Sequence, residues 1–394
     1  MAARGEATIY LKPGRDRSVR LGHPWIFSGG IDSPPSGGEA GEVAVVLAAD
    51  GSFLGRGYVN RSCAIAVRLL THDDEPIDAS FLLRRVATAR ALREAVLPAA
   101  TDAYRLINGE GDLLPGFVVD VYGGVVVVQC LTAGATRLQP LLIEALQSVL
   151  APQAIYERSG GAVRREEGLG PAERVLAGSL AEDAITISEN GLRFLVDVRG
   201  GQKTGFFLDQ RDNRQLARAL AGGRRVLNAF AYSGAFAVYA AAGSAGAVVS
   251  VDSSKPALEL ARRNWAANDL RSESDFVEAD VFRYLRDSTG EFDFLILDPP
   301  ALVKRRQDVA RGARAYKDLH LCAFRLAQPG ALVLTFSCSQ HVSPELFCKI
   351  VQGAAVDVRR EVQVLRHLGA GPDHPVHAAH PEGNYLSGLL LRVL

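Results

Sequence analysis

Cys338 stands between Ser337 and Ser339 at the end of an apolar run, and Asp298-Pro299-Pro300 closes another. Runs of this kind suit central strands of a parallel sheet, whose carboxyl ends converge on one ligand-binding edge. A cysteine delivered there can act as a thiolate nucleophile. A carboxylate beside it can hold the polar edge of a ring and stabilise charge as an adduct forms. Cytosine methylation at C5 uses such a pair. C5 is a poor nucleophile until a thiolate adds to C6; it then behaves as an enamine carbon that accepts a methyl group from a sulfonium donor, on a base turned out of its stack. Cys130, Cys322 and Cys348 lie in apolar strand or helix patterns and read as small core residues, while Cys63 carries no signal.

Residues 224–234 read Arg-Arg-Val-Leu-Asn-Ala-Phe-Ala-Tyr-Ser-Gly: a short strand, a turn, then an Ala-rich helix start. The turn from Asn228 through Phe230, Tyr232 and Ser233 to Gly234 brings backbone N–H groups towards a nucleotide-like ligand. Strand-like runs at 247–252, 275–280 and 292–298 each end in an acid: Asp252, Asp280 and Asp298. Asp252 follows the turn at roughly the 20-residue interval from which an acid reaches ribose hydroxyls. On a Gly-x-Gly-x-Gly turn ending at Gly234, Phe230 and Tyr232 occupy the first two glycine positions, which disfavours a pyrophosphate and therefore a nicotinamide cofactor. S-adenosylmethionine has no phosphate and fits better. Its expected contacts are the turn residues and the three acids, with Lys203, Thr204, Gln210 and Arg211 from residues 200–214, a segment too dense in Gly, charge and aromatics for an ordinary linker.

These positions need a scaffold of α/β class. The chain has 394 residues, enough for two or three domains, and 48% hydrophobic composition supplies their cores. Residues 1–72 read as a β-rich module with strands at 8–11, 43–47, 53–60 and 64–70 and a turn at 33–38. Residues 73–184 read as an α+β domain with helices at 78–96 and 138–150, strands at 104–107, 116–122, 125–131 and 154–157, and a polar loop at 158–165. Residues 185–394 read as a hairpin around 189–191 followed by the doubly wound sheet, closed by strands at 362–365 and 385–393.

Forty-four basic residues balance forty-four acidic ones, so any polyanion must meet a local basic footprint. Two such footprints stand out. Lys12, Arg15 and Arg17 precede Trp25 and Phe27, the mixture of cations and rings that grips single strands, although both rings equally suit a core. Lys304, Arg305 and Arg306 open a basic loop running to Lys317, directly after Asp298. Five scattered cysteines without a Cys-x-x-Cys pair argue against disulfides and metal ligation and fit a reducing cytoplasm. No membrane span or export signal is evident.

Taken together, residues 201–214, 228–234 and 298–300, Thr335-Phe336-Ser337-Cys338-Ser339, His374-Pro375 and Pro381-Glu382-Gly383 resemble the RlmI-like large-subunit ribosomal RNA cytosine-5 methyltransferases. The likeness extends to Lys12-Pro13-Gly14 and to residues 22–27. It implies an N-terminal PUA domain, a central α+β domain and a C-terminal Rossmann-like methyltransferase domain. S-adenosylmethionine would lie at the 228–234 turn near Asp252 and Asp280, and Cys338 would be the nucleophile. RNA, large-subunit ribosomal RNA in particular, and a second copy of the chain in a homodimer are the expected partners. Ala301-Leu302 departs from the Lys-Phe that relatives often carry there. Two alternatives stay open on the residues alone: methylation at another RNA position with a structural Cys338, and a non-catalytic RNA binder, which need not keep a cofactor site.

Overall fold

The computed structural model describes residues 7–32, 39–180 and 184–394; the turn expected at 33–38 lies outside them. Two compact units result. One comprises the chain up to Ile185 together with Val196–Gly205 and Pro372–Gly383; the other comprises Thr186–Leu195, Phe206–Gly371 and Asn384–Leu394.

The first unit opens with a five-stranded sheet in the order Ala7–Tyr10, Glu42–Leu47, Phe53–Val59, Ile65–Thr71 and Trp25–Phe27. Ile9, Val19, Ile26, Val46 and Val67 form its core. A second sheet runs Ala172–Gly178, Ala154–Ser159, Val125–Cys130, Phe117–Tyr122 and Ala103–Asn108. Helices Ala79–Val96 and Ala133–Leu150 share a core with Val119, Val121, Val126 and Ile155 on one of its faces. The other face carries residues 196–205: the Thr204 hydroxyl donates to Asp120 at 2.6 Å, and Arg158 donates to the Val198 carbonyl at 3.2 Å.

The second unit holds a seven-stranded sheet, numbered here β1 (Arg225–Ala229), β2 (Ala247–Asp252), β3 (Glu273–Glu278), β4 (Phe292–Leu297), β5 (Ala327–Ser337), β6 (Val362–Leu368) and β7 (Ser387–Val393). Their order is β3-β2-β1-β4-β5-β7-β6. β1 to β5 pair in parallel, and β7 is antiparallel to both neighbours. β4 is apolar because both faces are covered. Leu295 and Leu297 enter one core, Phe294 and Ile296 the other.

Several elements differ from the sequence reading, among them strand Trp25–Phe27 and the short helix Ala162–Glu166 within the expected polar loop, neither of which was foreseen. Helix Ala133–Leu150 starts a turn early because the Thr132 hydroxyl accepts the Ala135 N–H at 3.2 Å and caps it. Strand Ala172–Gly178 was not foreseen: it is an edge strand, and its sequence lacks the alternation of a half-buried one. The basic loop is loop only as far as a short turn at Arg306–Asp308; from Val309 it is the exposed side of helix Val309–Leu326.

Candidate active site

β1 to β5 all point their carboxyl ends the same way, so the turn after β1, Asp252, Asp280, Asp298 and Cys338 share one edge of the second unit. Asp252 ends β2. One of its carboxylate oxygens accepts the Tyr232 N–H at 2.8 Å, the other the Ser254 N–H at 2.8 Å. Asp280 follows β3 and caps the helix Val281–Asp287 by accepting the Arg283 N–H at 2.8 Å. Leu297 of β4 is in register with Thr335 of β5, so Asp298 and Cys338 leave adjacent strands together. The Cys338 thiol points at the Pro299 carbonyl, 3.9 Å away.

The turn itself has an unusual backbone. Phe230 and Tyr232 both adopt left-handed φ, +60° and +45°. Such angles cost a residue with a side chain about 1–2 kcal/mol each. The turn therefore has the backbone of a glycine turn while carrying rings, and the rings help to hold it. Phe230 packs edge-on against Phe282 at 5.9 Å and Tyr232 against Phe207 at 5.3 Å. The Ala231 N–H donates to the Val251 carbonyl at 3.0 Å. Gly234, at φ +73°, has no such freedom of choice: a Cβ there would sit 2.8 Å from the Ala261 Cβ. The Ser233 carbonyl accepts from the Asn264 amide at 2.9 Å.

Asn228 tests whether the site fits S-adenosylmethionine. Its side chain is buried at the end of β1, and its amide Nδ2 has no hydrogen-bond partner among the described residues. A buried donor left unpaired costs roughly 1–3 kcal/mol. A ligand rich in hydroxyl and carboxylate acceptors would relieve it.

Asp298 is oriented from the side. Gln210 donates its amide to Asp298 Oδ1 at 3.1 Å, and its own amide oxygen accepts from Asn213 at 2.6 Å. Asn213 also donates to the Gly369 carbonyl at 3.0 Å, which fixes which way both amides face. Arg211 is buried at the start of helix Arg211–Leu220. Lys203 and Thr204 fall in the first unit, where the Thr204 hydroxyl is bonded to Asp120 and to Tyr122 at 2.8 Å. Asn213 was missed in the sequence, although its i, i+3 spacing from Gln210 at a helix start was the available signal.

The candidate RNA residues are placed as follows. Lys304, Arg305 and Arg306 are exposed, as are Lys12, Arg15 and Arg17. Trp25 is half-buried, its indole N–H donating to Glu110 at 2.7 Å and its ring 4.3 Å from that of His380. Phe27, 54% exposed, is the aromatic that faces outward, and it lines a recess with Arg15 and Trp25.

A seven-stranded sheet of this order, with an acid closing β2 and a tight turn after β1, defines a Rossmann-like S-adenosylmethionine-dependent methyltransferase. Residues 117–374 match the family of S-adenosylmethionine-dependent methyltransferases, and residues 9–72 match the PUA-like domain. A ribosomal RNA large subunit methyltransferase I of Shewanella denitrificans is 44% identical over 98% of this chain and 99% of its own length. The chain belongs to that methyltransferase family. Its fold is shared by a Streptococcus mutans structure described as a SAM-dependent methyltransferase, with TM-score 0.83, 23% identity and coverage of 98% of this chain and 100% of that one. A structure described as a methyltransferase complexed with SAH also has TM-score 0.83 and 23% identity, covering 98% and 99% of the two chains.

If Asp252 accepts from the ribose hydroxyls, as its place at the end of β2 predicts, removing its carboxylate should weaken cofactor binding twice over, by loosening the turn at Tyr232 and by deleting that acceptor. Asp252→Ala should lower S-adenosylmethionine affinity by about 2–3 kcal/mol in calorimetry, as expected for charged hydrogen bonds. Unchanged affinity would remove Asp252 from the cofactor site.

Proposed function

We propose that the protein methylates C5 of a cytosine in large-subunit ribosomal RNA through a covalent adduct between Cys338 and C6 of the base. The observation that carries this reading is the placement of Cys338 beside the Asp298 loop at the carboxyl ends of β4 and β5. When bound, S-adenosylmethionine supplies an electrophilic methyl group; Asn228, Phe230, Tyr232, Ser233, Gly234, Asp252 and Asp280 would hold it. The Cys338 thiolate forms a bond to C6 and pushes the ring electron pair towards C5, which becomes nucleophilic. Asp298, oriented by Gln210, accepts from the amine edge of the base and favours the cytosine pattern over a carbonyl. Once C5 carries the methyl group, a base takes its proton, the C5–H electron pair restores the ring double bond, and the S–C6 pair returns to sulfur as thiolate.

The substrate assignment follows the relatives' name and the exposed cations. Lys304, Arg305 and Arg306 would contact phosphates, as would Lys12, Arg15 and Arg17, with Trp25 and its exposed neighbour Phe27 near the bases. On this reading residues 1–72 serve RNA binding, 73–184 form the central domain and 185–394 perform methyl transfer in the cytoplasm. Among the described residues no helix is long and apolar enough to cross a membrane. The test is transfer of labelled methyl from S-adenosylmethionine to unmodified ribosomal RNA, followed by identification of the nucleoside. The expected product is 5-methylcytosine. Label on another base would discard the C5 reading and leave a methyltransferase of different position.

A further inference from the structure

If Cys338 and Asp298 are to meet one base, the two loops that carry them must keep a fixed separation, and a third element ties them together. Helix Val309–Leu326 presents Gly312, Tyr316 and His320 along one stripe, four residues apart. At Gly312 a Cβ would run into the Val303 side chain and lie 2.9 Å from the Leu302 carbonyl oxygen, so only glycine lets the loop after Asp298 lie against the helix. Tyr316 is fully buried, and its hydroxyl accepts from Ser337 Oγ at 3.0 Å and bonds to Ser339 Oγ at 3.0 Å. Ser339 Oγ in turn accepts the Val303 N–H at 3.1 Å. Further down the stripe His320 bonds to the Tyr316 carbonyl at 2.6 Å and to the Thr335 hydroxyl at 2.9 Å. A carbonyl only accepts, so His320 carries its proton on Nδ1. Burial lowers its pKa to about 4 and keeps it neutral.

We infer that Tyr316 is a positioning residue for methyl transfer, its hydroxyl holding both serines that flank Cys338, of which Ser339 reaches the loop that begins at Asp298 through the Val303 N–H. This rests on the reading of Cys338 as nucleophile. Packing alone does not call for the hydroxyl: the ring fills its space and meets Phe347 edge-on at 5.6 Å, as a phenylalanine would. Burying three hydroxyls in an apolar setting is unfavourable unless each is bonded, and these bonds fall on either side of the reacting sulfur. Burial also raises the phenol pKa, so the hydroxyl stays protonated at working pH.

The test is Tyr316→Phe in the full-length protein. Misplacing reacting groups by a fraction of an ångström costs about 10- to 100-fold, so kcat should fall by that factor. The S-adenosylmethionine dissociation constant and the thermal transition should stay near native. Covalent trapping on RNA containing 5-fluorocytosine, which captures the Cys338 adduct, should slow by the same factor as kcat. A folded variant with native kcat, or one with reduced kcat but native trapping rate, would overturn the inference. Ser339→Ala supplies a second route. Because Tyr316 acts in part through Ser339, the double variant should lose less than the product of the two single losses, and independent, multiplying losses would also overturn it. Should Cys338→Ala retain activity, the nucleophile reading fails and this inference with it. Native activity in Tyr316→Phe beside an inactive Cys338→Ala removes the inference alone.

Discussion

Replacing Cys338 with alanine should leave a folded protein that binds S-adenosylmethionine and transfers no methyl group. The expected loss in kcat is at least about 10⁴-fold, the scale seen when a covalent nucleophile is deleted. The fold should tolerate the change. Cys338 is half-buried at the rim of the core formed by Phe236, Leu334 and Phe336, and its thiol makes a long contact of 3.9 Å to the Pro299 carbonyl. Removing one sulfur atom from such a place costs on the order of 1 kcal/mol. The hydroxyl ties of Ser337 and Ser339 do not pass through the sulfur, so the loop should keep its shape. Labelled methyl transfer, calorimetric cofactor affinity and trapping with 5-fluorocytosine RNA together decide the matter. The native protein should form an adduct that survives denaturation and the variant none. A folded variant with full activity would make Cys338 structural and shift the chemistry to another group.

Why Cys338 could be found from sequence, and its supports could not, follows from how each signal is carried. A parallel strand advertises itself by a continuous apolar run, and what comes after it lands on the ligand edge; that alone brought Asp252, Asp298 and Cys338 to one place. Asp280 was less legible, because the acid that seemed to end β3 lies beyond it and caps the next helix. The left-handed angles at Phe230 and Tyr232 contradict local preference and exist only because Phe282, Phe207 and Asp252 hold them. Tyr316 fell inside the basic loop expected to run to Lys317, and nothing in its neighbourhood of sequence announces Ser337 and Ser339. Long-range polar contacts leave no periodicity behind them.

Arg214→Ala should produce the largest loss of stability among single changes in the methyltransferase unit, about 3–5 kcal/mol, as when one member of a buried ion pair is removed. Arg214 is fully buried and meets Glu189 through two parallel bonds of 2.8 and 2.7 Å. Its remaining Nη1 donates to the Phe207 carbonyl at 2.8 Å, and its guanidinium lies over the Phe206 ring at 4.7 Å. The Tyr239 hydroxyl donates a third bond to Glu189, at 2.9 Å. Alanine would strand the Glu189 carboxylate in the core. Lysine would not repair the damage, because a single ammonium cannot reproduce the planar fork. Urea titration followed by the thermal transition should register the deficit, and a loss below about 1 kcal/mol would mean that water reaches the pair. The pair Arg214→Met with Glu189→Gln separates two contributions. Neutralising both partners should recover much of the stability, since the cost of a broken pair lies chiefly in the charge left behind. It should not recover activity to the same extent. The Phe207 carbonyl, which immediately precedes the turn Leu208–Gln210, would still lack its donor, and Gln210 would lose the anchorage from which it orients Asp298. A variant stable yet slow, with kcat reduced more than cofactor affinity, would therefore place the buried arginine in the support of Asp298 as well as in the core.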